Sequence, residues 1–259
     1  MRDDVPVTET TAFDDDHALA AWLATEAGRR LLEVRGEGLE GRELKDAGDL
    51  AAHELLMELL AKYRPDDAVL SEEGKDDVAR VSASRVWIVD PLDGTREFSE
   101  PPRDDWAVHV ALWESGDLTA GAVAQPALGE TFHTGAPPSV PEAAADRPRI
   151  AVSRTRPPEF VQELAEEIGA DLIPMGSAGV KVISVVRGVT DAYLHAGGQY
   201  EWDSAAPVAV ARSAGLHTSR ADGKALEYNR ADPLLPDLLV CQPSLAETIA
   251  DFVRAKGVV

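Results

Sequence analysis

The chain has 259 residues, 44% of them hydrophobic, enough for one large domain or two modest ones with an ample core. Its formal net charge of −21 argues against a general affinity for nucleic-acid polymers or anionic membranes, both of which favour basic surfaces. The lone Cys241 excludes an intrachain disulfide, the N-terminus lacks the basic-then-apolar pattern of a signal peptide, and no apolar run is long enough to span a bilayer, so a cytoplasmic protein is expected.

Residues 1–13 have few apolar positions and no period, which predicts a loose arm. Asp14-Asp15-Asp16 then caps a helix with Leu19, Trp22, Leu23, Leu31 and Leu32 on one side, ended by Gly36 and Gly38. A second helix is expected over 50–62 with Leu55, Leu56, Leu59 and Leu60 inward, followed by a turn at 64–67 and a short strand, 68–70, that ends in Ser71-Glu72-Glu73. Strands follow at 85–90, 106–113, 118–124 and 130–134, with Ser115-Gly116-Asp117 turning between two of them. The Pro- and Ala-rich stretch 135–148 reads as an exposed connection and places a domain boundary there, between an α+β half (14–147) and an α/β half (148–259). The second half alternates: strand 149–153, helix 158–168, strand 171–174, helix 177–187, strand 190–195, helix 203–214. Asp222-Gly223 fits a hairpin turn between two short strands, and strand 237–241 and a helix from Leu245 finish the chain.

The most informative stretch is Val86 to Thr95 (VWIVDPLDGT), an apolar run that ends in two carboxylates and a Gly-Thr pair. It reads as a buried strand delivering Asp90 and Asp93 to the start of a loop. Two like charges about 4 Å apart repel by roughly 4 kcal/mol at an effective dielectric near 20. A hard divalent cation such as Mg²⁺, which prefers oxygen ligands, removes that penalty. Amides of Gly94 and Thr95 at a helix or turn start could face an anion. Glu72 and Glu73 at a strand end, Asp49 beside Asp46, and Asp203 beside Glu201 are further acids that could join the site, although Asp49 and Asp203 alone would also serve as helix N-caps.

The segment Asp90-Pro91-Leu92-Asp93-Gly94-Thr95 resembles the signature of the inositol monophosphatase superfamily, the lithium-sensitive, Mg²⁺-dependent phosphatases. Trp202-Asp203-Ser204-Ala205-Ala206 resembles its second signature and Leu70-Ser71-Glu72-Glu73 its acidic motif, in family order. Arg96-Glu97-Phe98 after the Gly-Thr, and Ser177 followed by Lys181, are more similar to the CysQ-type branch, the 3′(2′),5′-bisphosphate nucleotidases that hydrolyse 3′-phosphoadenosine 5′-phosphate. The resemblance implies a layered αβαβα sugar-phosphatase fold. It implies that Glu72, Asp90 and the Leu92 carbonyl hold one Mg²⁺, that Asp90, Asp93 and Asp203 hold a second, and that Glu72 touches a weaker third. It also implies that the Gly94 and Thr95 amides bind the scissile phosphate and that Asp49 pairs with the Thr95 hydroxyl to activate water. Ser177, Lys181 and either Arg154 or Arg156 are candidates for the rest of the nucleotide. The first-motif acid is Asp49 or Asp46, with Asp49 preferred for standing just before the expected helix. Pro207 replaces a common Gly, a change a helix tolerates in its first turn.

The reaction expected is direct attack by cation-activated water on a small phosphate ester, without a phosphoenzyme. An aspartyl-nucleophile phosphatase needs Asp-x-Asp, and here two residues separate the acids; no P-loop or EF-hand pattern occurs. Inositol monophosphatase or fructose-1,6-bisphosphatase activity, activity on all three substrates, and a non-catalytic metal- and phosphate-binding protein are the alternatives. A monomer or a homodimer is compatible with the sequence. For a nucleotidase the implied role is clearing a by-product of sulfate assimilation. His109 and His133, in alternating strands, read as packed or surface residues, His195 as a possible substrate contact, Trp87, Trp106 and Trp113 as core, Trp202 as packing that fixes the Asp203 helix, and Cys241 as an inert buried thiol.

Overall fold

A computed structural model describes residues 15–141 and 147–258. The expected arm at 1–13 and part of the 135–148 connection lie outside the described residues. Helices α1 (Asp16–Arg35) and α2 (Gly41–Tyr63) precede a five-stranded sheet of β1 (Ala68–Ser71), β2 (Arg85–Asp93), β3 (Ala107–Glu114), β4 (Asp117–Gln125) and β5 (Glu130–His133), in that order, with the one-turn helix α3 (Thr95–Phe98) after β2. The second half contributes β6 (Arg149–Ser153), α4 (Glu159–Ile168), β7 (Asp171–Met175), α5 (Ala178–Val186), β8 (Ala192–Tyr200), α6 (Glu201–Ser213), β9 (His217–Ser219), β10 (Leu234–Cys241) and α7 (Ala246–Lys256), with strand order β7-β6-β8-β10-β9.

The layers follow from which faces are apolar. One face of the first sheet (Trp87, Val89, Val108, Val110) packs on the inner stripes of α1 and α2. Its other face (Val86, Ile88, Ala107, Ala111) shares a core with α5, α6 and the inner face of the second sheet. The outer face of the second sheet, with Ile150, Leu239 and Cys241, is covered by α4 and α7. The result is the expected αβαβα stack, with α5 and α6 as a middle layer buried on both sides. Burial on both faces explains why β2 reads as an unbroken apolar run.

Several boundaries differ from the sequence reading for identifiable reasons. Helix α2 starts at Gly41, not at residue 50, because Leu44 and Gly48 already belong to the buried stripe that continues through Ala52, Leu56 and Leu60. Gly48 is not a breaker here: a Cβ on it would lie 2.6 Å from the Phe98 ring, so its bareness admits that ring. Leu32 faces outward, 42% exposed, while Leu31 is buried. Strand β8 continues through Gly197 and Gly198 to Tyr200, and α6 then begins at Glu201, which puts Pro207 beyond the first turn. Asp222-Gly223 does form a turn, but no second short strand follows it; β9 pairs instead with β10.

Candidate metal and phosphate site

Strand β2 points Asp90 toward the middle layer, in register with His109 on β3, and a break in that register before Asp93 lets Asp93 face the same way. The Leu92 amide donates to Asp90 Oδ1 at 3.0 Å. Asp93 is received by the start of α5: the amides of Ala178 and Gly179 donate to it at 3.1 and 2.6 Å, and so does the Ser177 hydroxyl. Asp203, in the first turn of α6, accepts the Tyr200 amide at 2.6 Å. Carboxylate oxygens of Asp90, Asp93 and Asp203 thereby lie within 4.8 Å of one another. Glu72 follows β1, held beside β2 by its amide bond to the Val89 carbonyl, and its carboxyl hydrogen-bonds that of Asp90.

The electrostatics are those of crowded acids. Burial and repulsion from Glu72 and Asp93 push Asp90 well above the ordinary carboxylate range. Loss of water and the charges of Asp93 and Glu73 move Glu72 up to about 7 against its hydrogen bond with Asp90. Burial and Asp93 likewise move Asp203 to about 7. Asp93 goes the other way: burial alone would raise it, but His109, the Ser177 hydroxyl and the Gly179 amide hold it at about 2. An all-oxygen set that strains to keep its charge is the donor chemistry that suits a hard divalent cation, so these residues fit Mg²⁺.

Next to the acids, Gly94 takes φ 90°, a left-handed conformation that glycine adopts without strain, and α3 starts on Thr95. A Cβ at Gly94 would press on Ser177 and Trp106 at 3.2 Å. The Thr95 hydroxyl lies 3.4 Å from Asp49 Oδ1 and 3.2 Å from the Leu92 carbonyl. Asp49 reaches it from the interior of α2, not from a helix cap. Burial and the nearby Glu73 raise Asp49 to about 7, although the Thr95 hydrogen bond opposes them. Asp46 points outward to Arg42 at 3.4 Å, so of the two first-motif candidates only Asp49 meets Thr95.

A cavity of about 550 Å³ is lined by Asp93, Gly94 and Asp203, by Lys181 and Arg156, and by the His195–Gly198 rim. Lys181 is buried beneath it, its Nζ on the Gly176 and Ser177 carbonyls and 5.4 Å from the Tyr193 ring centroid. Ser177 is the N-cap of α5, accepting the Val180 amide, as well as a cavity wall. Arg154 is not at the cavity: it is engaged by Glu97 at 2.6 Å and Glu100 at 2.8 Å, which leaves Arg156 as the one of the two that lines it.

Residues 7–256 match the model of the inositol monophosphatase family. The chain belongs to that family. A Mycobacterium leprae protein named 3′-phosphoadenosine 5′-phosphate phosphatase is 48% identical over 253 residues, covering 92% of this chain and 93% of its own. A Mycobacterium tuberculosis protein of the same name is 50% identical over 247 residues, covering 88% and 91%. The crystal structure of CysQ from Bacteroides thetaiotaomicron, a bacterial member of the inositol monophosphatase family, superposes with a TM-score of 0.73 at 27% identity, covering 86% of this chain and 96% of that one.

Two features of this family member were not legible beforehand. The strand pattern predicts a packed or surface His109; it is fully buried, and its neighbours are the site acids, with Nδ1 3.1 Å from the Trp202 carbonyl and Nε2 3.2 Å from Asp93 Oδ2. Only the β2–β3 register, which a sequence does not print, places it there. The Arg96-Glu97-Phe98 extension does not reach the cavity. Glu97 is buried against Arg154, Phe98 packs edge-on to Trp106 at 5.0 Å, and Arg96 is exposed and pairs with Glu100. It therefore acts as a joint between the halves. Among the described residues no helix is long and apolar enough to cross a membrane.

Proposed function

We propose that this protein is a Mg²⁺-dependent, lithium-sensitive phosphomonoester hydrolase that removes the 3′-phosphate of 3′-phosphoadenosine 5′-phosphate to give AMP in the cytoplasm. The observation that carries the reading is one cavity whose lining combines Asp93 and Asp203 of the acid cluster with the cations Lys181 and Arg156. In a molecule of net charge −21, cations lining the same cavity as a cation-binding acid cluster suit a substrate with more than one phosphate. The names of relatives near 50% identity support the nucleotide over inositol phosphate or fructose bisphosphate.

Glu72, Asp90 and the Leu92 carbonyl would hold one cation and Asp90, Asp93 and Asp203 another, with Glu72 touching a weaker third. When bound, such cations supply Lewis acidity that makes water a stronger nucleophile and neutralises charge on the leaving oxygen. Asp49, with its raised affinity for a proton, takes the proton of the attacking water, and Thr95 orients that exchange. The amides of Gly94 and Thr95, left without helical acceptors at the start of α3, hold the scissile phosphate. Ser177, Lys181 and Arg156 hold the remainder of the nucleotide.

The test is kcat/KM for 3′-phosphoadenosine 5′-phosphate, inositol 1-phosphate and fructose 1,6-bisphosphate with Mg²⁺. The nucleotide should lead. A strong preference for inositol phosphate would overturn the substrate, and no phosphate release from any of the three would overturn catalysis.

A further inference from the structure

Away from the cavity, one buried polar cluster ties together the two segments that bring Glu72 and Asp203 to the site. The connection between β1 and β2 runs from Glu72 through a short 3₁₀ turn, Val78–Ser82, that carries Arg80. Arg80 is 2% exposed, a rare burial for a guanidinium. Its Nε and Nη2 donate to Asp76 at 2.7 and 3.0 Å, closing the connection on itself. The rest of the fork crosses to the second half of the chain: Nη1 donates to Asn229 Oδ1 at 2.8 Å and Nη2 to the Arg230 carbonyl at 2.9 Å. Asn229 Nδ2 returns a bond to the Arg80 carbonyl at 3.3 Å.

Asn229 is held with φ 60°, a left-handed conformation that costs a non-glycine residue energy and that asparagine accepts more readily than most. That backbone turns the amides of Asn229 and Arg230 onto the two carboxylate oxygens of Glu201, at 2.7 and 2.8 Å. Glu201 is 1% exposed and is the first residue of α6; its own amide donates to the Pro233 carbonyl at 2.8 Å. Asp203 stands two residues further along the same turn.

We infer that Arg80, Asn229 and Glu201 are positioning residues, a buried clamp that fixes the Glu72 connection against the first turn of α6 and so sets the spacing of the acids at the cation site. None of the three lines the cavity or belongs to the acid cluster. The inference rests on the reading of Glu72 and Asp203 as cation ligands. Its physical basis is that ligands carried on different segments bind a cation tightly only when something else holds the segments in place. Partners bonded directly to metal ligands are worth about 10- to 100-fold in metal affinity or activity, and a support acting through the segments that carry the ligands falls at the lower end of that range.

Asn229→Gly is the sharpest variant. Glycine keeps the left-handed backbone, and with it the amide bonds to Glu201, but removes the side chain that meets Arg80. Mn²⁺ binding to the purified protein, followed by electron paramagnetic resonance well below the melting temperature, reads the site without catalysis. We expect the Mn²⁺ dissociation constant and the Mg²⁺ concentration for half-maximal activity to rise in parallel, by about 10-fold. Arg80→Lys, which keeps the charge but not the fork, should do the same, and the double variant should be no worse than the more affected single one. A support of the fold alone would lower the melting temperature and leave Mn²⁺ affinity in the folded protein unchanged. That result in either folded variant overturns the clamp. A wild-type protein that binds no Mn²⁺ would instead overturn the cation reading beneath it.

Discussion

The two ends of the cavity are built differently. At the acid end, Asp93 accepts from the Ser177 hydroxyl and the Ala178 and Gly179 amides, and a fully buried His109 stands against it. Along the rim at 195–198, Gly197 and Gly198 sit at φ 84° and 83° with, among the described residues, no atom within 4 Å of where a Cβ would be, and His195 Nε2 donates to the Gly197 carbonyl at 2.8 Å. One end is fixed before any ligand arrives; the other is open and lightly braced. A rigid charge array suits work that is the same for every phosphate ester, and an open rim suits selection among esters. Changes at the first end should therefore act on kcat, and changes at the second on KM.

The largest effect is expected from Asp93→Asn, which should reduce phosphate release in Mg²⁺ to the detection limit; near-normal turnover would remove Asp93 from the cation site and dissolve the contrast. Asp49→Asn should lower kcat by about 10²- to 10⁴-fold, the usual worth of a general base, with KM little changed. A change confined to KM would move Asp49 out of the chemistry. Arg156→Ala tests the other end: steady-state kinetics should show KM for the nucleotide rising about 10- to 100-fold, as for loss of a charged hydrogen bond, with kcat nearly constant. Inositol 1-phosphate, which has no second phosphate, should not feel that change, and an equal loss on both substrates would contradict the assignment of Arg156.

A further expectation, on stability and not on turnover, concerns pH. Asp49, Glu72 and Asp203 stand at about 7 in the folded protein, against ordinary values of 3.8, 4.5 and 3.8. Between those limits the folded chain holds more protons than the unfolded one. These groups therefore make the metal-free protein less stable as pH rises from about 4 to about 7, and add no further slope above that. Thermal melts across this range should show the decline, and saturating Mg²⁺ should flatten it by taking the place of the protons.

Asp90 and Asp93 and the alternation of the second half were legible in the sequence because they depend on local signals: an apolar run that stops at two carboxylates, and strands and helices that alternate after residue 148; the αβαβα layer order came through the resemblance. What escaped were properties of juxtaposition. Nothing local to Gly48 announces that the Phe98 ring packs on it. His109 looks like any strand histidine until β3 is set in register with β2. Arg96-Glu97-Phe98 points toward the nucleotide only through resemblance, and in the fold Glu97 meets Arg154 and Phe98 meets Trp106, outside the lining of the cavity. The sequence favours Asp49 over Asp46 through an expected helix start, but α2 starts at Gly41, and the physical reason is the approach of Asp49 to Thr95.

The middle layer has a consequence for how the molecule is made. Helices α5 and α6 cover the inner face of the first sheet, but they are encoded after residue 177. On a ribosome the first five strands emerge with Val86, Ile88, Ala107 and Ala111 bare, and they stay so until roughly the last quarter of the chain is being translated. A nascent sheet in that condition is open to non-native association. Asp203 arrives on the very helix that ends the exposure, so a stalled or truncated product would have neither a sealed sheet nor its third acid.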